Sequence, residues 1–142
     1  MSSITTSVLT AFLVAVTVST VANTCTTVYL HRALSHRALT LRPSIALVFR
    51  AVLWLSTGIK PKEWVAVHRK HHAYTDIEGD PHSPVLLGWK TVQTKNVALY
   101  RASVLDPSTI ERYAKDLPDD RWDTLFFGHN KTGLLSGVAI LM

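Results

Sequence analysis

Seven histidines punctuate the 142-residue chain, and five fall in two short groups, His31-Arg-Ala-Leu-Ser-His36 and His68-Arg-Lys-His71-His72. His82 and His129 stand apart. Neutral imidazole is a ligand of intermediate softness that suits iron, zinc and copper, and a site of five or more imidazoles adds no ligand charge to offset its metals. In the second group the i, i+3, i+4 spacing puts all three rings on one helix face, within about 100°. In the first group the i, i+5 spacing separates the rings by about 140° on an ideal helix. His31 and His36 therefore share a metal only at a helix end or where the helix is locally unwound. Soluble di-iron bundles use Glu-x-x-His pairs with several carboxylates. Here Glu63, Asp76, Glu78 and Asp80 flank the second group without that spacing, and are read as outer acceptors that orient a ring by taking its other N–H. A single histidine among Arg and Lys would be read as a surface residue. Five in these two spacings are read as ligands. Cys25, the one cysteine, lies in an apolar run, so neither a disulfide framework nor a Cys-based metal site can be built within one chain.

The segments that must position these rings are apolar to an unusual degree. Hydrophobic residues make up 47% of the chain, which points to a membrane class. From Ile4 to Leu30 no charged residue occurs, more than the ~20 residues needed to cross ~30 Å of hydrocarbon. No basic region precedes this stretch and it is long for a signal peptide, so a transmembrane helix over 4–30 is expected. A lone strand in lipid would leave its backbone groups unpaired, whatever its Thr and Val content. The first histidine group sits at the exit of this helix.

Pro43 to Ile59 is a second apolar stretch, with Arg50 near its middle. A charge at mid-bilayer costs at least ~2.5 kcal/mol on insertion scales. Of the 15 Lys and Arg, 11 lie between Lys60 and Lys131, and Arg32, Arg37 and Arg42 flank the stretch on its other side. The positive-inside rule places both flanks in the cytoplasm, so an even number of crossings must separate them. One short segment cannot cross twice. Residues 43–59 are expected to form an interfacial or buried helix on the cytoplasmic side, with Arg50 on its polar face or paired and with Trp54 and Trp64 near the interface.

Residues 60–132 read as a cytoplasmic region. Pro61 opens a helix expected over 62 to about 74, Asp80-Pro81-His82-Ser83-Pro84 and Gly88 form a turn-rich connection, and Thr91 to Leu117 is a polar helical pattern interrupted at Asp106-Pro107-Ser108. Asp106 or Ser108 is placed to cap the helix that follows. Gly133 to Met142 opens a further hydrophobic run, the start of another transmembrane helix. The formal net charge of +5 is spread through the polar middle without a nucleic-acid motif or a basic helix face, so no nucleic-acid partner is expected.

With these residues in view, the sequence resembles the membrane fatty acyl desaturase family, whose first two histidine boxes have the forms His-x4-His and His-x2-His-His. Val28-Tyr29-Leu30-His31-Arg32, His36-Arg37, Glu63-Trp64, the second box and Asp80-Pro81-His82-Ser83-Pro84 carry the resemblance, which is greatest to the bacterial acyl-CoA delta-9-type branch. It implies an all-α integral membrane protein whose cytoplasmic helical cap carries a histidine-rich di-iron site, with His31, His36, His68, His71 and His72 as metal ligands. His82 matches a family motif but not a ligand position, and His129 matches neither. The implied reaction is oxygen-dependent desaturation of a fatty acyl chain, acyl-CoA or lipid-linked, in unsaturated fatty acid biosynthesis. Dioxygen, an external electron donor of ferredoxin, rubredoxin or cytochrome b5 type, and the lipid bilayer are the implied partners. The implied location is a multi-pass protein of the bacterial inner membrane with both boxes facing the cytoplasm. Related membrane di-iron hydroxylases and ketolases share such boxes, since the ligands barely distinguish the reactions. The family's third box, a further His-x2-His-His, does not occur before Met142. The chain is therefore expected to be the N-terminal part of such an enzyme, with an incomplete site that is inactive alone.

Overall fold

The computed structural model describes residues 3–142, Ser3 by its backbone alone, and all regular elements among them are helical. The first, α1 (Ser3–Cys25), runs without a break into a π-helical segment, Thr26–Ser35. Together Ile4–Ser35 is a 32-residue helix, the one among the described residues that is long and apolar enough to cross a membrane. At 1.5 Å per residue its α-helical part from Ile4 to Cys25 is already about 33 Å long, enough to cross the ~30 Å of a hydrocarbon core before the π segment begins. The whole helix extends past the expected boundary at Leu30 because hydrogen bonding continues in the wider π pattern. Its apolar side chains, among them Ile4, Val8, Phe12 and Leu13, are exposed as lipid-facing residues would be. The threonine hydroxyls of this helix are satisfied locally: Thr10, Thr20, Thr24 and Thr26 each donate to the carbonyl four residues back.

Pro43 at a first-turn position starts α2 (Pro43–Ser56), and Pro61 does the same for α3 (Pro61–Ala73). The two helices are bent by 89° from one another, so α3 does not continue α2. A small core joins them to the long helix, with Cys25, Tyr29, Leu30 and Leu53 buried and Phe49, Ile59 and Trp64 packed around them. Arg50 of α2 is paired, as one of its two expected arrangements required. It reaches both oxygens of Asp120 at 2.7 and 3.0 Å and Asp123 at 2.6 Å, and lies over the Phe127 ring at 4.6 Å. This ties the polar region to the apolar helices.

Beyond the second box, Ser83 caps a short helix, α4 (Pro84–Leu87), where only a turn was expected. α5 (Trp89–Leu105) and α6 (Pro107–Tyr113) follow, separated at the anticipated break, and Asp106 rather than Ser108 is the cap. After a π turn at Asp123–Phe127 comes α7 (Asn130–Leu141), which begins three residues before the apolar run that marks it in the sequence. α7 lies against α2 through small residues. A Cβ on Gly133 would meet the Trp54 indole, and one on Gly137 would meet the Leu55 carbonyl. Small residues at these two positions let the helix backbones approach closely.

Gly137→Ala is accordingly expected to force α7 from α2 and to destabilise the chain by about 1–3 kcal/mol. A denaturant titration in detergent micelles reads this as a lower midpoint. Leu135→Ala, on the exposed side of α7, is the control and should move the midpoint little. Equal midpoints for both variants would contradict the α2–α7 packing.

Candidate metal centre

The end of the long helix and the middle of α3 bring four imidazoles together. His31, His36, His68 and His72 each offer a ring nitrogen, and these atoms all lie within 4.8 Å of one another. The i, i+5 spacing of the first box is resolved by π winding. The His36 N–H donates to the His31 carbonyl at 3.0 Å, an i to i+5 bond, so the two residues stack one turn apart on the same face. Their ring centroids are 4.5 Å apart. Arg37, in the left-handed region at φ +52°, then ends the helix.

From α3, His68 and His72 meet this pair. His68 Nε2 is 3.1 Å from His72 Nε2 and 3.4 Å from His36 Nε2. Four nitrogens bound tetrahedrally at about 2.1 Å from one ion are about 3.4 Å apart, close to these two separations. The rings must be unprotonated to serve. Burial, and then the neighbouring charges of His72, His31, His36 and His71, push the His68 pKa down to about 3. Burial lowers that of His72 too, followed by His36, His71 and His31. Trp64, one helical turn before His68, stacks on its ring at 4.6 Å between centroids, with planes 17° apart. Its place four residues earlier on the same helix was the available signal for this contact; the sequence suggested an interfacial role instead.

His71 does not join the four. It sits with Asp80 and His82 in a second group whose candidate ligand atoms also lie within 4.8 Å of one another. His71 Nδ1 donates to Asp80 Oδ1 at 2.8 Å, and the His71 and His82 rings stack at 4.4 Å. Of the four carboxylates flanking the second box, Asp80 is the one that touches a box ring. Glu63 pairs with Lys60, and Asp76 accepts from Ser83. The Asp80 side chain has no exposed surface. Burial opposes its ionisation, but the hydrogen bonds from His71 and from the N–H groups of His82 and Asp76 outweigh this and hold the carboxyl below its ordinary value. An ionised Asp80 fixes the His71 proton on Nδ1 and leaves Nε2 as the free donor atom. His129 lies elsewhere, its carbonyl accepting from Trp54 Nε1 at 3.0 Å.

A sequence profile described as fatty acid desaturase matches residues 7–133, nearly the whole chain. The chain belongs to this family. Among curated members it is similar to the Delta-9 desaturase-like 2 protein of Arabidopsis thaliana, 35% identical over 79 residues, 56% of this chain and 26% of that protein. It is also similar to an Acyl-CoA C20 Delta5-desaturase of Anemone leveillei, 41% identical over 64 residues, 45% of this chain and 20% of that protein. A third relative is a Hex-5-enoyl-[acyl-carrier protein] acetylenase of Moorena producens, 40% identical over 55 residues, 39% of this chain and 17% of that protein. The chain spans about a quarter or less of the length of these relatives. No solved structure matches it. Among the described residues, the four-histidine group and the His71 group are those whose donor atoms could hold a metal ion.

Cobalt(II), whose visible absorption reports the ligand field, separates the two groups. Ala at His31, His36, His68 or His72 should each abolish the absorption of a single four-imidazole ion. His71→Ala and His129→Ala should leave it intact, since neither ring belongs to that cluster. Loss of the signal in His71→Ala would contradict the division of the second box.

Proposed function

We propose that this chain forms the part of an oxygen-dependent fatty acyl desaturase, delta-9-like, that carries its first two histidine boxes, with a fatty acyl chain, acyl-CoA or lipid-linked, as substrate. The observation that carries the reading is the convergence of His31, His36, His68 and His72 from two separate helices onto one ion-sized space. In this reading those four residues hold one iron. His71, its Nδ1 occupied by Asp80, would offer Nε2 to a second iron. Two irons at that place would supply, with dioxygen and two external electrons from a ferredoxin, rubredoxin or cytochrome b5 type of donor, the redox chemistry that unactivated methylenes require.

The chain's own residues do the rest. Burial keeps His68 neutral and ready to bind, Trp64 covers one face of its ring, and Asp80 holds the tautomer of His71. The 32-residue helix carries the first box beyond the hydrocarbon, where a bilayer-embedded acyl chain and an external electron donor can both reach the site. The arrangement requires both boxes on one side of the membrane. With the positive-inside bias that side is the cytoplasm, residues 43–59 lie at the interface, and α7 begins a further crossing.

Two experiments test this reading. In a strain lacking its own desaturase, a complete desaturase containing this segment should yield new monounsaturated acyl chains, and Ala at any of the five box histidines should abolish them. Residues 1–142 alone should yield none, because the four-imidazole cluster fits one ion and the reaction needs two. New double bonds from residues 1–142, or from the His68→Ala enzyme, would refute the assignment. Separately, cysteines placed at Ser35 and Thr75 in a Cys25→Ser background should both be labelled from the cytoplasmic side. Labelling from opposite sides would exclude a shared site.

A further inference from the structure

Between the two members of the second box that differ in destination lies a residue the chemistry above does not use. Arg69 follows His68 directly, and all five of its N–H donors have acceptors. Nε donates to the Ser35 carbonyl at 3.2 Å. Nη2 donates to the Leu34 carbonyl at 2.7 Å and to Asp116 Oδ2 at 3.2 Å. Nη1 donates to the Tyr113 carbonyl at 2.9 Å and to Asp116 Oδ1 at 2.6 Å. Asp116 also accepts from Arg37 Nη2 at 2.5 Å. The guanidinium thus joins three segments: the last carbonyls of the long helix just before His36, the end of α6, and α3 itself.

Helix ends leave their last carbonyls without partners inside the helix. Leu34 and Ser35 are such residues, and they flank the turn that aims His31 and His36 at α3. We infer that Arg69, held by Asp116, is the positioning residue that fixes the first histidine box against the second, setting the distance across which His36 and His68 share an ion. This rests on the four-histidine reading of the site, but the contacts themselves involve no metal. The planar fork is essential to it. A lysine has three donors on one atom and cannot reach Ser35, Leu34, Tyr113 and both oxygens of Asp116 at once.

Amide hydrogen exchange and cobalt(II) binding on the chain in detergent micelles, for wild type, Arg69→Lys and Arg69→Ala, test the clasp. The His36 and Ala38 amides, which donate to the His31 and Arg32 carbonyls, should lose protection in both variants while α7 keeps its own. Cobalt affinity at the four-histidine cluster should fall by about 10- to 100-fold, as when an orienting partner is removed. Millimolar guanidinium should restore both readings in Arg69→Ala but not in Arg69→Lys, where the cavity is filled. Unchanged exchange at His36 and Ala38, or full cobalt affinity in Arg69→Lys, would overturn the clasp. If wild type bound no cobalt while the variants still lost protection, the metal reading would fall and the clasp would stand.

Discussion

Bringing four imidazoles within a few ångströms is costly in the absence of a metal, and the rest of the structure is arranged around that constraint. Protonated rings at 3.1 to 3.4 Å would repel one another, so the rings must be neutral, and burial and mutual proximity depress the His68 pKa accordingly. Neutral rings at this spacing still gain little until an ion binds, because each needs a donor or an acceptor that its neighbour cannot always provide. The backbone must therefore hold them. The π turn stacks His31 over His36, α3 places His68 and His72 one turn apart, and Trp64 backs the ring at the centre of the cluster.

The same elements link the site to the membrane. The long helix is apolar and exposed along its first part, then buries Cys25, Tyr29 and Leu30 against Leu53 immediately before the first box. A side chain that belongs to an apolar helix, Arg50, reaches down to Asp120 and Asp123. Its own side chain is only 11% exposed, so its charge is offset by these partners rather than by water. The polar region is thus anchored at two levels, by Arg50 to the apolar helices and by the second box to the first.

Local signals in the sequence carried much of this. Pro61 and the Asp106-Pro107 break mark α3 and the α5–α6 boundary because proline position and caps act within one turn. The length of the first apolar stretch and the two histidine spacings were equally direct. The i, i+5 spacing required a departure from α-helical winding, but only the structure shows that this is a π segment rather than a frayed end. The division of the second box was not legible. On a helix His72 lies about 40° to one side of His68 and His71 about 60° to the other. Which neighbour shares the ion depends on how α3 faces the first box, a relation set by residues more than 30 positions away. The partners of Arg50 are 70 and 73 residues distant in sequence, and the α2–α7 crossing joins Trp54 and Leu55 to Gly133 and Gly137. No periodicity within either segment encodes such pairings.

X-ray absorption at the zinc edge tests most directly whether four imidazoles from two helices surround one ion. Zinc bound in a single equivalent to the chain in detergent micelles should show four nitrogen neighbours at about 2.0–2.1 Å, with the outer-shell scattering of intact imidazole rings. Substituting His36 or His68 should reduce the ring count by one in any zinc that still binds. A first shell containing carboxylate oxygen in place of two or more imidazoles, or one unchanged when His36 and His68 are both replaced, would contradict the account.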